Sequence, residues 1–597
     1  MGAFFGNRRW KVRGTKAGPD SELERNFESR IRELHEKTGL SPVTLRVCLQ
    51  RGLETAEEIS TYLTPKLDQL TDPHKIKDMN EAVERLVLAK KQGEKVRVFG
   101  DYDVDGTCGA ALLTWIFKEL GISSDAVQPD RFKDGYGLNV KAVEAAREAA
   151  QVLITVDCGI TSFEPIRRAR ELALDVIVVD HHQIDPVKGL PDALAVIDPQ
   201  RADCPSGLKQ LCGCGLAFYL AMALRARWRK EGWFEAGKEP NLKAHLDLVV
   251  IATAADQVPL TGDNRILVRH GLEVLRNSKK PGVRALMEVA GLGSRTLSPG
   301  HLGFTLGPRI NASGRMDSAS IALEMLTTSD AARGLALALQ LEQLNKERSE
   351  VQNRIWDEIR LQVEKAIAAG HFKHGILVAD PGWHEGVVGI VASRVTETFH
   401  RPAAVVALRE DLGKGSVRSF GGKDVLAAIR ACSDLLLGFG GHRHAAGFSV
   451  GLGQVEELAR RFDEALATIP REYEQDILLV EGECTVSDLN IKTLEELESL
   501  GPFGTGNPEP VFTMRASVQS TRVIKERHLK LQLQECDVQA VSNGSRALEA
   551  LWFNIAERVD PSELMDGHGE WAGVPELNRF RGQVTPQLRV KDFRKQP

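Results

Sequence analysis

The chain has 597 residues, 42% of them hydrophobic and 27% charged, with 77 Lys+Arg against 82 Asp+Glu for a formal net charge of -5. This is the composition of ordinary globular protein with chain enough for three to five domains, and its charge balance does not advertise nucleic-acid binding. It leaves room for a local basic groove inside an acidic protein. Nowhere do 18 apolar residues run together, so no transmembrane helix is expected. The basic stretch at residues 1–14 lacks the apolar core of a secretory signal, and the nine cysteines are scattered. A cytoplasmic protein with reduced thiols is expected.

Residues 21–91 are rich in Glu, Arg and Leu at helical spacing, broken around Leu63, Pro65, Leu67 and Leu70, and read as a helical arm. A β-branched run, Val96-Arg97-Val98-Phe99, then ends in Asp101, Asp103 and Asp105 before Gly106. The run predicts a buried strand, with the carboxylates at its carboxyl end, where open α/β sheets bind ligands. Three like charges so close repel unless a cation neutralises them, which points to a hard metal held by oxygen. The same opening occurs in EF-hand calcium loops, but those need a Glu at the twelfth position and a helix in front. Here that position is Leu112 and a strand precedes. A solvated acidic turn is the plainer alternative.

Strands and helices alternate from there on. Residues 107–120 read as a helix, 125–129 as a strand and 140–150 as a helix. Residues 152–156 form a strand ending in Asp157, 163–172 a helix, and 176–179 a strand ending in Asp180-His181-His182. Repeated β-α units predict a doubly wound, mostly parallel sheet with its carboxyl ends along one edge. Asp103, Asp105, Asp157, Asp180, His181 and His182 can then converge. Each aspartate alone could equally cap a helix. Cys204, Cys212 and Cys214 lack zinc-site spacing and read as core or loop thiols. A helix over 241–255 ends at Asp256, where a carboxylate opposes the helix dipole unless a cation or donor occupies it, so Asp256 joins the ligand candidates. Residues 306–315 read as a Gly-rich loop with Arg309 and Arg315, able to hold phosphate or merely to turn.

Residues 335–369 have no Gly or Pro and keep apolar residues at three- and four-residue steps. As one helix they would span about 50 Å at ~1.5 Å per residue, a rigid spacer between two lobes. The second lobe reads as a strand at 375–380, a helix at 386–398 and a strand at 403–407, with Gly-rich basic stretches at 413–419 and 438–447 that could cradle a nucleotide backbone. From about Tyr473 short alternating strands, clearest at 528–534 and 588–591, predict a small β-barrel. Outward Arg and Lys would suit a single strand, although aromatics for stacking are sparse there.

Asp180-His181-His182 together with residues 100–106 resembles the DHH phosphoesterase superfamily. Residues 306–314, 383–390 and 440–447 add a close resemblance to the RecJ single-strand-specific DNA exonucleases, running in order from about residue 45 to the C-terminus. The resemblance implies an α/β fold with a two-lobed DHH plus DHHA1 core joined by a long helix and a C-terminal OB-fold. The expected divisions are 1–90 (arm), 91–334 (DHH), 335–370 (helix), 371–468 (DHHA1) and 469–597 (OB-fold). It also implies hydrolysis of single-stranded DNA from the 5′ end to mononucleotides with Mn²⁺ or Mg²⁺, two ions being expected.

By the same resemblance Asp103, Asp105, Asp157, His181 and Asp256 are the expected metal ligands, and His182 lies near the scissile phosphate, with Asp103 and Asp256 counted as catalytic. Arg131, Arg309, Ser416 and Arg418 resemble residues that hold the 5′-phosphate and backbone, and His442 matches the second lobe's Gly-rich histidine motif. Asp101 is expected to shape the turn or support a ligand. One departure stands out: many DHH enzymes carry a metal-binding His four residues before the equivalent of Asp103, where this chain has Phe99. The family also implies a single-strand-binding protein and a RecQ-type helicase as partners, no membrane, and a monomer. The competing readings are a DHH/DHHA1 phosphodiesterase for short oligonucleotides or cyclic dinucleotides, and a non-catalytic DNA-binding scaffold.

Overall fold

The computed structural model describes residues 8–14, 21–293, 295–472, 477–535, 547–565 and 568–595. Residues 1–7 of the basic N-terminal stretch, and Tyr473 where the sequence texture changes, lie outside them. The chain forms two compact units. The larger comprises Leu70–Val258 and His270–Gln475, the smaller Met1–Gln69, Pro259–Arg269 and Asp476–Pro597.

The larger unit holds two sheets. The first has five parallel strands in the order Ser124–Val127, Val96–Gly100, Val152–Val156, Asp175–Val179 and Ala195–Ile197. Its central strands are near-continuous runs of Val, Ile and Leu buried on both faces, the pattern of a parallel sheet covered on each side by helices. The ladder runs one residue beyond three of these strands. Asp101 N–H donates to Val156 O at 3.1 Å, Asp157 N–H to Val179 O at 3.0 Å, and Asp180 N–H to Ile197 O at 3.1 Å. The first residue after each strand is therefore held in line with its neighbours, and in each case it is an aspartate.

Helix Val104–Leu120 starts directly on this edge. Its first turn packs so closely on the strand end that a Cβ on Gly106 would lie 2.4 Å from Asp101 N, and one on Gly100 2.5 Å from Gly106 O. The glycine that closes the acidic motif is thus a packing requirement.

The second sheet has the order Leu436–His442, Ala445–Gly451, Leu412–Arg418, Ala403–Leu408 and Ile376–Asp380, with only the last two strands parallel to each other. Both basic Gly-rich stretches of this lobe are therefore strands and not free loops. The spacer helix runs Ala331–Ala368, and the Asp330 side chain caps it by accepting from Ala332 and Arg333 N–H. Leu337, Ala338 and Leu341 are buried at one end, and Ile355, Trp356, Ile359 and Val363 at the other, where they join the core under the second sheet.

One segment differs outright from the expectation. Residues 306–315 are helical: a π-helical turn Leu302–Leu306 leads into helix Gly307–Met316. Pro308 sits in the first turn, where its missing N–H costs nothing. The glycines serve close packing, a Cβ on Gly307 lying 3.3 Å from Ala255 Cβ and one on Gly314 3.2 Å from Tyr102 O.

In the smaller unit five strands close into a barrel: Phe512–Ile524, His528–Glu535, Ala547–Trp552, Gln583–Lys595 and His568–Phe580, the last pairing back to the first. Leu529, Leu531 and Leu533 alternate inward beside Trp571. Ile31, Leu34, Leu45, Val47 and Ile59 of the N-terminal helices share that core. No helix among the described residues is long and apolar enough to cross a membrane.

Gly106→Ala must push the helix off the strand end. Overpacking of this kind costs about 1–3 kcal/mol. Calorimetry should show the larger unit melting earlier; an unchanged midpoint would mean that the approach of helix to strand is not tight.

Candidate active site

The strand-end aspartates meet two histidines and the end of a helix. Asp103 leaves the first strand and caps helix Val104–Leu120, its Oδ1 accepting from Asp105 N–H at 2.9 Å and Gly106 N–H at 3.2 Å. Asp105, in the first turn, is fully buried. It accepts from Gly213 N–H at 2.6 Å and Cys214 N–H at 2.9 Å, the start of helix Gly213–Lys230, whose positive dipole end favours a carboxylate. Gly213 is needed there, since a Cβ on it would lie 2.9 Å from Asp157 Cβ.

Asp157 has φ 62, the left-handed region that a non-glycine residue adopts only at a cost. Its Oδ1 lies 3.1 Å from His181 Nε2 and 3.8 Å from His182 Nδ1. His181 Nε2 is also 3.8 Å from Asp105 Oδ2 and 3.7 Å from Asp256 Oδ2. Asp256 follows helix Leu246–Ala255 as its C-cap, and its Oδ2 is buried without a hydrogen-bond partner.

Three groups of residues bring ligand atoms within 4.8 Å of one another: Asp157, His181 and His182; Asp105, His181 and Asp256; Asp101, Asp103 and Asp157. Such a set fits a divalent cation. The unbonded Asp256 oxygen, and the unbonded buried Oδ1 of Asp101, are acceptors that the protein itself leaves unsatisfied. Without a cation the cost shows in the titration. Burial, then the charge of Asp103, pushes Asp101 up to about 8. Burial, then Asp105 and Asp103, pushes Asp256 up to about 8. Burial followed by Asp103 and Asp105 raises Asp157 well above the carboxylate range, and burial raises Asp105 despite the nearby His181.

Asp180 behaves differently. Burial works against its ionisation, but the hydrogen bond and charge of His182 and the bond from Ile160 N–H outweigh it, and its carboxyl is held below the ordinary range. Its Oδ1 also accepts from the backbone N–H of His181 at 2.8 Å and His182 at 3.2 Å. In return, although burial opposes it, Asp180 at 2.7 Å from Nδ1 lifts His182 to about 9. The Asp180 carboxylate thus favours the charged form of His182, whose Nε2 lies 3.4 Å from the Tyr136 hydroxyl.

Beside this cluster lies a cavity of about 490 Å³ between the two sheets. Tyr102 and Tyr136 line its side nearer the carboxylates, and Arg131, Arg315, Ser416 and Arg418 line its wall. Arg131 stacks over Tyr102 at 4.9 Å, Arg418 donates to Ser416 Oγ at 2.9 Å, and Arg315 donates to Gly386 O at 3.1 Å. Burial, then repulsion from Arg131, Arg348 and Arg418, pulls Arg315 down to about 10. Arg418 is lowered by burial and by Arg131. Guanidinium groups crowded this way await an anion.

The structure thus brings Asp103, Asp105, Asp157, His181, His182 and Asp256 together, and Arg131, Ser416 and Arg418 together. His442 ends strand Leu436–His442, and its imidazole is lowered by burial and by the charge of His182. Arg309 does not line the cavity. Its guanidinium is 2.6 Å from Glu342 and donates to Thr305 O at 2.6 Å. Arg315, six residues on, takes the place expected of it. Sequence reasoning also set Asp101 aside; its position at the strand end, like those of Asp157 and Asp180, was the available signal. Tyr136 carried no signal beyond its flanking glycines.

The DHH family N-terminal domain matches residues 95–253, the DHHA1 domain 373–468 and the RecJ OB domain 480–592. The single-stranded-DNA-specific exonuclease RecJ of Escherichia coli strain K12 is 34% identical over 96% of this chain and 100% of that protein. The chain belongs to the RecJ family. The RecJ of Haemophilus influenzae is 35% identical over 92% of this chain and 95% of its own length. The crystal structure of Thermus thermophilus RecJ in complex with Mn²⁺ superposes with a TM-score of 0.79 at 30% identity, covering 95% of this chain and 78% of that one. A second RecJ exonuclease structure, bound to manganese, gives 0.58 at 36% identity over 66% of this chain and 96% of the other. Like the RecJ proteins it resembles, this chain has donors for Mn²⁺ or Mg²⁺, and its DHH, DHHA1 and OB parts follow the expected order.

Adding Mn²⁺ should raise the melting midpoint of the larger unit, the folded state gaining about 2.7 kcal/mol at a hundredfold excess over Kd. Asp157→Asn, an isostere of the protonated acid, should melt no earlier than the parent in EDTA yet lose most of the Mn²⁺ shift. A variant that keeps the full shift would remove Asp157 from the ligand set.

Proposed function

We propose that this chain is a metal-dependent exonuclease that hydrolyses single-stranded DNA from its 5′ end and releases 5′-mononucleotides. The observation that carries the reading is the juxtaposition of the carboxylate cluster with the arginine-lined cavity, the two sharing Tyr102 and Tyr136 at their border. An arginine-lined anion site next to a hydrolytic centre suits a terminal phosphate, and so suits cutting from a phosphorylated end. The names and bound metals of the relatives support the substrate and the cation.

In this reading Asp103, Asp105, Asp157, His181 and Asp256 hold two divalent ions, with Asp101 completing the oxygen donors of one of them. When bound, such ions polarise a phosphate and lower the pKa of a water so that it can attack in line. The protein's own groups do the rest. Arg131, Arg315 and Arg418, with Ser416, hold the terminal phosphate and fix the length of the leaving piece. Asp180 fixes the His182 ring and its charge, so that Nε2–H is presented to a phosphate oxygen. Tyr136 orients that imidazole, and His442 closes the site from the second lobe. Work in DNA repair and recombination in the cytoplasm, as a monomer with a single-strand-binding protein and a RecQ-type helicase as partners, belongs to the same reading. The barrel supports a polymer substrate over a dinucleotide.

The test is digestion of a long 5′-phosphorylated, end-labelled single strand beside a dinucleotide and a blunt hairpin. Labelled mononucleotide should appear from the long strand alone; preferential cleavage of the dinucleotide would overturn the polymer reading. Asp103→Ala and Asp256→Ala should abolish hydrolysis and leave DNA binding largely intact, whereas full activity in excess Mn²⁺ would remove them from the ligand set. Arg315→Ala should raise KM for the phosphorylated strand about tenfold or more, losing a charge-assisted hydrogen bond of roughly 1.5–3 kcal/mol. Arg309→Ala should do much less, and equal effects would show that cavity lining does not identify the anion contacts.

A further inference from the structure

The anion cavity does not end at the group that would hold a terminal phosphate. Its floor is one face of three adjacent strands of the second sheet, and their register divides it into rows. The row nearest the carboxylates pairs His442, Ala445 and Arg418. The next pairs Gly440, Gly447 and Ser416, and the outermost Gly438, Ser449 and Lys414. Alternate residues of a strand share a face, so successive rows lie about 7 Å apart. Arg418 of the first row lines the cavity with Tyr102 and Tyr136, the two residues that border the carboxylates.

Among the described residues, little stands above the outer part of this floor. A Cβ on Gly438 or Gly440 would meet no atom within 4 Å, and one on Gly447 only Gly415 O at 3.8 Å. The outermost row carries a cation of its own. Lys414 is 46% exposed and lies 3.3 Å from Glu385 Oε2, while Arg409 lies 3.9 Å from Glu385 Oε1. Two cations share this one carboxylate, so Glu385 does not belong to Lys414 alone. A cavity of about 490 Å³ is of the size that takes whole organic ligands, not a lone phosphate.

We infer that the cavity accepts 5′ ends carrying further phosphoryl groups, a 5′-triphosphate in particular, with the α-phosphate at Ser416 and Arg418 and the outer phosphates running along the glycine floor to Lys414. This rests on the exonuclease reading above and names a further substrate class for the same site. The cut is unchanged. Water adds its oxygen to the phosphorus of the first internucleotide linkage, the P–O3′ bond breaks, and the departing 3′ oxygen takes a proton. The first product is an intact nucleoside 5′-triphosphate with a free 3′-hydroxyl, and the shortened strand keeps an ordinary 5′-phosphate.

The test uses the full chain with Mn²⁺ and one single-stranded oligodeoxynucleotide prepared with a 5′-triphosphate or a 5′-monophosphate, products being weighed by mass spectrometry. Intact nucleoside triphosphate should be released, with kcat/KM within about tenfold of the monophosphate strand. Lys414→Gln should widen that gap by about another tenfold. A triphosphate strand that resists while its monophosphate twin is degraded overturns the inference, as does a Lys414→Gln variant that slows both strands equally. If neither strand is degraded, the exonuclease reading itself fails and this inference falls with it.

Discussion

Crowding of carboxylates at one sheet edge is the constraint under which the rest of the larger unit is built. Asp101, Asp105 and Asp157 are all buried, and in a medium of low dielectric their mutual repulsion would disperse them or force protonation. Three features hold them in place. The parallel ladder continues one residue past the strands and fixes the backbone of Asp101, Asp157 and Asp180. The N-terminus of helix Gly213–Lys230 donates two N–H groups to Asp105. Glycines at 106 and 213 let helices approach within distances that a side chain would forbid. Each feature stabilises the backbone or a single carboxylate, and none neutralises the set. The remaining charge is left for a cation.

The arginine side obeys the same logic with the opposite sign. Arg131, Arg315 and Arg418 come from both lobes, and the charge of Arg131 opposes that of the other two, so an anion that enters between them relieves repulsion and contacts both lobes at once. The Asp180–His182 pair has the intermediate position: its negative member is fully satisfied by donors, and its positive member faces the site. In the reading proposed above, a phosphodiester strand meets the arginines at its terminal phosphate and the His182 ring beside the scissile one, while the acidic cluster receives it only with metal bound. Metal dependence follows from the charge arrangement itself, and an overall charge of -5 gives no hint of it.

What could be read from the sequence was what is local along the chain. Val-rich runs ending in aspartate gave strands and the edge on which they end, and the unbroken period of residues 335–369 gave the spacer helix almost to its ends. What could not be read depended on long-range placement. Arg309 and Arg315 lie in one short glycine-containing segment that reads as a loop. As a helix, at about 3.6 residues per turn, it sends positions six apart to different faces, one to Glu342 and the other to the cavity. The glycines of residues 438–447 read as a backbone cradle or a turn; they lie in strands, and only the pairing with residues 412–418 shows which side they leave open. The helices before residue 70 gave no sign that they share a core with strands almost five hundred residues later.

Phe99 shows how one departure from a familiar pattern is absorbed. Its side chain is 2% exposed and packs with Leu138, Val143 and Leu153 beneath the sheet, so this position contributes only to the core here. Two residues later the acidic turn presents an unbonded oxygen of Asp101 beside Asp103 and Asp157. The donor groups become chemically unequal as a result. One is built of carboxylate oxygens alone, while the others include His181 or His182. Oxygen donors suit Mg²⁺ and Mn²⁺ alike, and imidazole tilts a site toward Mn²⁺. Two ions held in this cluster would therefore differ in how readily each exchanges, with the all-carboxylate position the more permissive to Mg²⁺.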